Sequence, residues 1–416
     1  MRHVCGRQLS CGLTFLVHAV SDAFERLVRG ERVPFGAPAR AALAVAERAY
    51  AAVIAARNAR FERQPDRVVH VGVPVISVGN LTTGGTGKTP LVIDLTKRLQ
   101  ARGRRVGVIS RGYRSARGHR SDEERLVRRH CPNVITMARP KRIVAARVVV
   151  DGQRCDCVIA DDAFQHRQLG RDLDIVVIDA LRPFGHGHLL PRGLLREPIE
   201  SLHRADLVVI SRADQVKAPE LAAIAARVQR VRPDLPIIRA RHRPGGFWSL
   251  DGSEPRDVPA GARGLCFAGI GNPAAFVATL QSLGIEPQRS MWWPDHHAYT
   301  WRNVGRVLLT AFSNRAEWVL TTEKDAVKLA VFPTDWPIPA AALRIEIEFL
   351  DDGEAVLERI LTDCLSQTCA AVTPDAMHDM LCTFRSQLHQ AASEVWEQAA
   401  LDAIADKHGE RRDDPP

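Results

Sequence analysis

The stretch VGNLTTGGTGKTPLV, residues 78–92, contains the pattern that decides the fold. Apolar residues precede a glycine-rich loop, and Lys88 and Thr89 then open a helix-like segment with Pro90 in its first turn. This order is that of a phosphate-binding loop, G-x-x-x-x-G-K-[ST], although Thr82 occupies the position of the first glycine. A glycine-rich turn without function is the alternative, and the flanking strand and helix disfavour it.

The chemistry of this loop predicts where a nucleotide would bind. Successive backbone N–H groups of a glycine-rich turn, followed by a helix N-terminus, form a concave site for anions. The lysine supplies positive charge to the β- and γ-phosphates, and the threonine after it offers its hydroxyl to Mg²⁺. On this basis we assign the nucleotide contacts to Thr82, Thr83, Gly84, Gly85, Thr86, Gly87, Lys88 and Thr89.

Beyond the loop, short apolar runs alternate with helical segments along most of the chain. The runs RRVGVISRG, CDCVIADD, DLDIVVIDA and ADLVVISRAD are strand-like, and GLCFAGIG, EWVLTT and LRIEIEFL continue the pattern further on. Strands separated by helices predict an α/β fold with a mainly parallel sheet covered on both faces. In such a sheet, ligands bind at the carboxyl ends of the strands.

Shifts in composition divide the chain into five predicted regions. The first is helix-favouring, and a stretch rich in glycine and proline separates two α/β units. The last carries amphipathic helical patterns and ends in the polar tail DKHGERRDDPP. The predicted regions are 1–66 (N-terminal helical region), 67–241 (phosphate-loop domain), 242–263 (linker), 264–365 (second α/β domain) and 366–416 (C-terminal extension).

Length and charge limit the possible functions. A chain of 416 residues is too long for one compact core. The net charge is +9, and residues 1–70 hold eleven arginines against six acidic residues, which favours anionic partners such as phosphates or acidic lipid. Nucleic acid is not indicated, because the sequence has no zinc-finger spacing, aromatic RNA-binding motif or long basic run. The nine cysteines show no paired framework, which fits reduced thiols.

The sequence predicts no membrane-spanning helix, because no segment reaches the roughly 18 uncharged apolar residues that such a helix needs. The stretch ARAALAVAERAYAAVIAARNARFER, residues 39–63, is rich in alanine and ends in basic residues. A helix of this kind could lie on an anionic membrane surface. It could equally pack against the first domain, and the sequence leaves both alternatives open.

Two further motifs add charged groups that could act with the loop. CVIADDAFQH places Asp161 and Asp162 at the tip of a strand, where a carboxylate can reach a metal directly or through water. On its own, such a pair is more often a turn or a helix cap. LPRGLLREP presents Arg192, Arg196 and Glu197 from a rigid loop. Arginine suits phosphate because of its fork of donors, and a surface salt bridge is the alternative.

Other loops offer groups for acid–base chemistry. SDEE, residues 121–124, and PDHHAYT, residues 294–300, contain carboxylates or imidazoles that could orient a hydroxyl or accept its proton. Capping of a following helix is the simpler explanation for Asp295 and His296. TTEKDAVKL, residues 321–329, likewise indicates a capped helix.

Taken in order, these motifs resemble those of the tetraacyldisaccharide 4'-kinases, the lipid A 4'-kinases of Gram-negative bacteria. The resemblance rests on VISVGNLTTGGTGKTP, VISRGY, DDAFQH, LPRGLLREP, FAGIGNPAAF, DHHAYT and TTEKDAVKL, and it covers about residues 38–350. The phosphate loop of this family also lacks the first glycine, so Thr82 agrees with the resemblance.

The resemblance implies two α/β/α sandwich domains, the first of them P-loop NTPase-like, joined by a short two-stranded linker. It places the active site in the cleft between them and an N-terminal helix on the membrane. The implied reaction uses ATP and Mg²⁺ to phosphorylate the 4'-hydroxyl of a tetraacyldisaccharide 1-phosphate, giving the lipid A precursor lipid IVA. It also implies a peripheral enzyme, expected to be monomeric, on the anionic cytoplasmic face of the inner membrane.

Matched motif by motif, the resemblance assigns roles to individual residues. Asp122 would act as the catalytic acid–base residue with His296 as its partner, and Lys88 would hold the phosphates. His166 belongs to the same motif as the two aspartates. The remaining assigned residues line the phosphate cleft or the metal: Arg142 and Arg196 for phosphate, and Thr89, Asp161, Asp162 and Glu197 for Mg²⁺.

The sequence departs from the family pattern at three positions. Ser121 and Glu124 replace the glycine and proline of the family's G-D-E-P turn, and Ala163 stands at the glycine of D-D-G-[LF]-Q-H. Two other functions remain open, namely a deviant P-loop ATPase and an inactive membrane-bound nucleotide-binding homologue. The ATPases carry a signature lysine early in the loop, where this chain has Thr82 and Thr83.

Overall fold

The computed structural model describes residues 36–112, 121–333 and 335–370, together with Arg26. Two compact units divide between Leu361 and Thr362, and the sheet lies entirely in the first of them. The predictions for residues 1–35, Arg26 apart, and for residues 371–416 lie outside the described residues.

Twelve strands in the described part of the chain form one sheet. They are β1 (Val75–Gly79), β2 (Val106–Ser110), β3 (Ile135–Ala138), β4 (Cys157–Asp161), β5 (Leu173–Asp179), β6 (Leu207–Ser211), β7 (Ile237–Trp248), β8 (Pro255–Arg256), β9 (Gly264–Ala268), β10 (Pro287–Trp292), β11 (Trp318–Thr322) and β12 (Ala340–Phe349). Their order is β10-β9-β11-β12-β7-β6-β5-β1-β4-β2-β3, with β8 beside β7. Neighbours are parallel except where β7 pairs with β12 and β8, so the predicted α/β class is confirmed.

The described residues also form nine α-helices. They are α1 (Gly36–Arg63), α2 (Lys88–Ala101), α3 (Asp122–His130), α4 (Arg142–Arg147), α5 (Ala218–Gln229), α6 (Pro273–Ser282), α7 (Trp301–Ser313), α8 (Glu323–Leu329) and α9 (Gly353–Ala370). Every residue of β1, β2, β4, β5 and β6 is buried, which requires cover on both faces of this part of the sheet. The continuous apolar runs in the sequence have this origin.

The strand β7 joins two groups of parallel strands that run in opposite directions. Its first residues pair in parallel with β6, up to Arg239 beside Ile210. Beyond that level β7 continues past the carboxyl edge of the first group and pairs antiparallel with β12, from Ala240 beside Phe349 to Trp248 beside Ala342. Because β11 and β9 run parallel to β12, their carboxyl ends point back towards the first group. The carboxyl ends of the strands in the first group therefore face the carboxyl ends of the strands in the second group. We call these two edges of the sheet the first and the second carboxyl edge.

The predicted linker at 242–263 begins inside this strand, and its first seven residues are the last seven of β7. The segment RHRPGGFW forms a strand despite its proline and glycines, because the β7–β12 ladder shifts register beside Pro244. Cross-strand ion pairs support it, with Arg241 Nη2 2.7 Å from Glu348 Oε1 and Arg243 Nη2 2.6 Å from Glu346 Oε2. The division into two α/β domains stays a prediction.

One face of helix α1 packs on the segment between β5 and β6. Glu47 Oε1 accepts a hydrogen bond of 2.9 Å from the Leu189 amide, and the Tyr50 hydroxyl donates one of 3.0 Å to the Arg196 carbonyl. Val45 and Val53 lie on the opposite face, 68% and 65% exposed. Packing is thus the observed arrangement for one face. Among the described residues, no helix combines the length and apolar character that crossing a bilayer requires.

The close approach of β1 to the segment after β4 can be tested at Gly79. A Cβ atom at this position would lie 2.4 Å from Phe164 Cβ and 2.9 Å from the Phe164 amide nitrogen, and Phe164 is fully buried. We expect Gly79→Ala to lower the free energy of unfolding by at least about 1–3 kcal/mol. Urea unfolding followed by circular dichroism measures this.

Gly305 provides the control for that substitution. It lies inside helix α7, where an added Cβ meets nothing within 4 Å, so Gly305→Ala should be neutral or stabilise by up to about 1 kcal/mol. Equal urea midpoints for the two variants would contradict the tight contact at Gly79.

Candidate functional site

The glycine-rich loop between β1 and α2 has the backbone conformation of an anion-binding turn. Gly84 and Gly87 have φ values of 106° and 83°, which only glycine adopts without strain. The carbonyls of Gly85 and Thr86 accept hydrogen bonds of 2.8 Å from Arg212 Nη2 and Ser211 Oγ at the end of β6. Within the described chain, no amide of residues 84–87 donates to a backbone carbonyl, so these N–H groups are available for phosphate oxygens.

The two threonines at the start of the loop connect it to the segment LPRGLLREP. The Thr83 amide donates a hydrogen bond of 2.8 Å to the Leu194 carbonyl, and Thr82 is buried and forms an antiparallel bridge with Leu195. These contacts fix the entrance of the loop, and the assignment of Thr82 and Thr83 to the nucleotide stays a prediction.

Lys88 lies in a cluster of charged and polar side chains at the mouth of the loop. Its Nζ is 2.9 Å from Asn80 Oδ1 and 3.2 Å from Asp162 Oδ1. Arg196 binds the same carboxylate with both terminal nitrogens, at 3.0 and 2.8 Å, and also contacts the Asn80 side chain. The sequence-predicted residues Lys88, Asp162 and Arg196 are thus brought together, and Asn80 is a member that the sequence reasoning missed.

The electrostatics of Asp162 follow from these partners. Burial acts to raise the pKa of this carboxyl, but Lys88 and Arg196 hold the pKa far below its usual value, so Asp162 is ionised. Its φ of 52° is in the left-handed region, which is uncommon for aspartate and costs on the order of 1 kcal/mol.

Asp161 is in the opposite electrostatic situation. It is buried at the tip of β4, and its Oδ1 has no hydrogen-bond partner. Burial raises the pKa of this carboxyl to about 7, with Asp162 and Glu123 adding to the effect and Lys88 opposing it. A buried, unpartnered carboxylate oxygen fits a hard cation such as Mg²⁺, which takes one or two protein carboxylates and completes its shell with water and phosphate.

In the described ranges, no group of three or more His, Cys, Asp or Glu side chains is arranged to hold a metal ion. Glu197, which the sequence placed on the metal side, does not fit there. It is fully buried and its two oxygens pair with Arg57 and Arg204. The sequence did not reveal that helix α1 brings Arg57 to this carboxylate.

Two other predicted residues line the segment after β4. Arg142 is buried and its Nη2 donates to the Asp162 carbonyl at 3.3 Å. Burial lowers the pKa of His166 to about 4, with Arg142 and Arg171 adding to the effect, so its imidazole is neutral at neutral pH. The His166 Nε2 is buried without a hydrogen-bond partner. Arg192, by contrast, forms the salt bridge that was the simpler alternative, with Glu47 at 3.1 Å.

The second carboxyl edge contributes His296, which lies beside Asp122. The His296 Nδ1 is 3.5 Å from Asp122 Oδ2 and 3.8 Å from Glu123 Oε1. Asp122 is the first residue of α3, and the S-D-E-E turn is a capping box in which Ser121 and Glu124 bond each other's amides at 3.2 and 3.0 Å. This capping box holds Asp122 at the helix start without the family's glycine and proline.

The loop that carries His296 is not a helix cap, which corrects the simpler explanation. Helix α7 begins at Trp301 and is capped by Thr300. His296 has a φ of 59°, and Lys324 Nζ lies 3.4 Å from its Nε2 and 2.9 Å from Asp295 Oδ1. Helix α8 is capped by Thr322 as predicted, and that explanation of TTEKDAVKL gave no reason to consider Lys324 for the site.

The fold and the site define an α/β protein of the P-loop nucleotide-binding class, in which an imidazole from the second carboxyl edge lies beside a carboxylate of the first group. The family model described as LpxK, tetraacyldisaccharide-1-P 4'-kinase, matches residues 39–365. The chain belongs to the tetraacyldisaccharide 4'-kinase family.

Individual relatives agree with this family. The tetraacyldisaccharide 4'-kinase of Anaeromyxobacter sp. (strain K) is 40% identical over 359 residues, which are 80% of this chain and 93% of the relative. That of Geobacter sulfurreducens is 35% identical over 362 residues, 81% of this chain and 98% of the relative. The crystal structure of "apo" form LpxK from Aquifex aeolicus in complex with ATP has 26% identity and a TM-score of 0.61, covering 78% of this chain and 99% of that one.

The raised pKa of Asp161 predicts how stability depends on pH without nucleotide. An unfolded aspartate loses its proton near pH 3.9, whereas folded Asp161 keeps it until about pH 7. Between these values the folded state binds more protons than the unfolded state, so the free energy of unfolding falls as pH rises. The Asp161→Asn variant lacks this loss of stability. Its urea midpoint should therefore exceed that of the wild type by an amount that increases from about pH 5 to about pH 8.

The exposed residue Asp151 provides the matched control for that measurement. For Asp151→Asn, the difference in urea midpoint from the wild type should be the same at about pH 5 and at about pH 8. A constant difference for Asp161→Asn would contradict the protonation assigned to this carboxyl.

Proposed function

We propose that this chain transfers the γ-phosphoryl group of ATP to the 4'-hydroxyl of a tetraacyldisaccharide 1-phosphate. The observation that supports it is the meeting of two carboxyl edges, one carrying Lys88 and Asp161 and the other carrying His296 beside Asp122. Family membership supports the reaction, since the relatives are named for it and the Aquifex aeolicus structure is a complex with ATP.

The phosphate side of the reaction is electrostatic. Phosphoryl transfer has a loose transition state, so catalysis depends on positioning and on neutralising charge on the transferred group. The amides of Gly84–Gly87, with Lys88, would hold the β- and γ-phosphates. Lys88 and Arg196 would exchange part of their contact with Asp162 for contact with phosphate oxygens, and Arg142 would add charge beside them.

Mg²⁺ fits this site through Asp161 and Thr89. When bound, the ion would supply positive charge to the β- and γ-phosphate oxygens. The unpartnered Oδ1 of Asp161 favours this residue over Asp162 as the carboxylate ligand, because both Asp162 oxygens are held by Arg196.

The acceptor side needs a group that takes the proton of the sugar hydroxyl. Asp122 is proposed for this role, with the Nδ1 side of His296 facing it. A positioned general base contributes typically about 10²–10⁴-fold to a rate. The carboxylate of Glu123 lies next to the same imidazole, so two acidic side chains are present at the proposed acceptor site.

The acceptor carries four acyl chains, which keep it in a bilayer, so we propose peripheral attachment at the cytoplasmic face of the inner membrane. The outer face of α1 supports this, because exposed Val45 and Val53 lie beside the exposed arginines Arg48, Arg60 and Arg63. Such a face suits an anionic lipid surface. The alternatives of a deviant ATPase and of an inactive homologue are not favoured by the family match.

The assignment of Asp122 predicts a defect in transfer without a defect in ATP binding. With labelled ATP and the lipid acceptor, thin-layer chromatography should show kcat for Asp122→Asn reduced by about 10²–10⁴-fold. The Kd for ATP should stay within a few-fold of the wild type, because Asp122 is assigned to the acceptor hydroxyl. Lys88→Ala should lose both transfer activity and ATP affinity. Lys97→Ala, on the exposed side of α2, should keep both. Loss of ATP affinity in Asp122→Asn would sink the assignment.

The proposed membrane face predicts a specific loss of vesicle binding. Replacing Arg48, Arg60 and Arg63 with glutamine removes about 1 kcal/mol of attraction to an anionic surface per arginine, so the partition coefficient should fall roughly 10²-fold. Sedimentation with vesicles of phosphatidylglycerol and phosphatidylethanolamine measures it.

The matched control for vesicle binding is a triple glutamine variant of three exposed arginines elsewhere on the chain, Arg154, Arg230 and Arg289. We expect this variant to bind vesicles almost like the wild type. Equal binding by both triple variants would rule out α1 as the attachment face.

A further inference from the structure

Lys324 lies beside His296 at the second carboxyl edge. Lys324 follows β11 in the first turn of α8, and the side chains of both residues are partly exposed at the cleft. The ammonium lies 3.4 Å from His296 Nε2 and 2.9 Å from Asp295 Oδ1. A cation in the first turn of a helix opposes the helix dipole, so helix stability does not explain this lysine.

The contact with Lys324 determines which nitrogen of His296 carries the proton. An ammonium group has three donors and no lone pair, so the nitrogen that it contacts must accept. Nε2 is therefore the unprotonated nitrogen and Nδ1 bears the hydrogen. That hydrogen faces Asp122 Oδ2, 3.5 Å from Nδ1.

Lys324 also neutralises Asp295, whose Oδ2 is 3.7 Å from His296 Nε2. Burial acts to raise the pKa of that carboxyl, but Lys324 keeps the pKa below its usual value. The carboxylates of Asp122 and Glu123 face the other ring nitrogen, Nδ1. The ammonium thus lies on the Nε2 side of the ring and the two carboxylates lie on the Nδ1 side.

Hydrogen bonds to Asp325 hold the segments that carry Lys324 and His296 together. Fully buried Asp325, the neighbour of Lys324, accepts hydrogen bonds from the Tyr299 hydroxyl at 3.1 Å and from the Gly269 amide at 3.1 Å. Tyr299 closes the loop that carries His296, and Gly269 follows β9. The first turn of α8 and the His296 loop are thereby tied to the same carboxylate.

We infer that Lys324 is a positioning residue that holds His296 in the tautomer with its proton on Nδ1, directed at Asp122. This inference rests on the proposed function. In the productive state, the Nδ1–H of His296 orients the Asp122 carboxylate while leaving an oxygen able to accept the proton of the sugar hydroxyl. In the other tautomer, Nδ1 would present a lone pair to the Asp122 carboxylate and could not orient it.

The inference predicts a loss of transfer when the hydrogen-bond donor at residue 324 is removed. In Lys324→Met, no ammonium fixes the tautomer of His296, so kcat should fall by about tenfold or more, a part of the roughly 10²–10⁴-fold that a positioned general base contributes, while the KM for ATP stays near the wild-type value. Lys324→Arg should keep the wild-type kcat, as should Lys97→Met on the exposed side of α2. An unchanged kcat in Lys324→Met, or an equal loss in Lys324→Arg, would overturn the inference.

A second measurement decides the point without enzyme activity. Nitrogen-15 NMR of the wild-type protein, with the His296 signal assigned by its loss in His296→Gln, should show Nδ1 protonated and Nε2 unprotonated at neutral pH. The opposite tautomer or an imidazolium would overturn the inference even if Lys324→Met failed to fold. Absence of phosphorylated lipid with the wild type would instead refute the proposed function and leave the tautomer measurement to stand on its own.

Discussion

The antiparallel pairing of β7 with β12 is the constraint on which the arrangement of the site depends. Parallel strands with crossover helices place all their functional loops at one edge. If the second group of strands had continued in the direction of the first, its loops would lie beside the phosphate loop rather than opposite to it. The reversal at β7 turns the second carboxyl edge towards the first, so that His296 meets Asp122 at 3.5 Å. The pairing of β7 with β12 therefore determines the geometry of the candidate site.

The facing edges also separate charge within the site. On the phosphate side, Lys88 and Arg196 hold Asp162 ionised, while buried Asp161 has a raised pKa and an unpartnered oxygen. On the acceptor side, the carboxylates of Asp122 and Glu123 face the Nδ1 atom of His296, and Lys324 contacts its Nε2 atom. Positive groups would thus meet the phosphates, and acidic groups would meet the hydroxyl. This distribution suits a reaction in which charge moves from nucleotide to acceptor without a covalent intermediate on the protein.

The sequence predicted those features that depend on local pattern. Buried parallel strands require continuous apolar runs, and the loop before Lys88 needs glycine where φ is positive. Both the strands and the loop can therefore be predicted from the sequence alone. Strand β7 beyond residue 241 was not, because its pairing depends on β12 and on arginine–glutamate contacts between distant segments. The resemblance assigned Glu197 to the metal, and nothing local in the sequence shows that Arg57 and Arg204 reach it. Lys324 was missed because a capped helix already explained its motif.

The most direct test of the central claim is a crystal structure of the chain with a non-hydrolysable ATP analogue and Mg²⁺. The facing-edge arrangement predicts the triphosphate on the amides of Gly84–Gly87 and on Lys88, with Mg²⁺ at Asp161 and the γ-phosphate directed towards Asp122 and His296. A nucleotide bound elsewhere, or a γ-phosphate pointing away from the second carboxyl edge while Lys88 keeps its contact with Asp162, would contradict it.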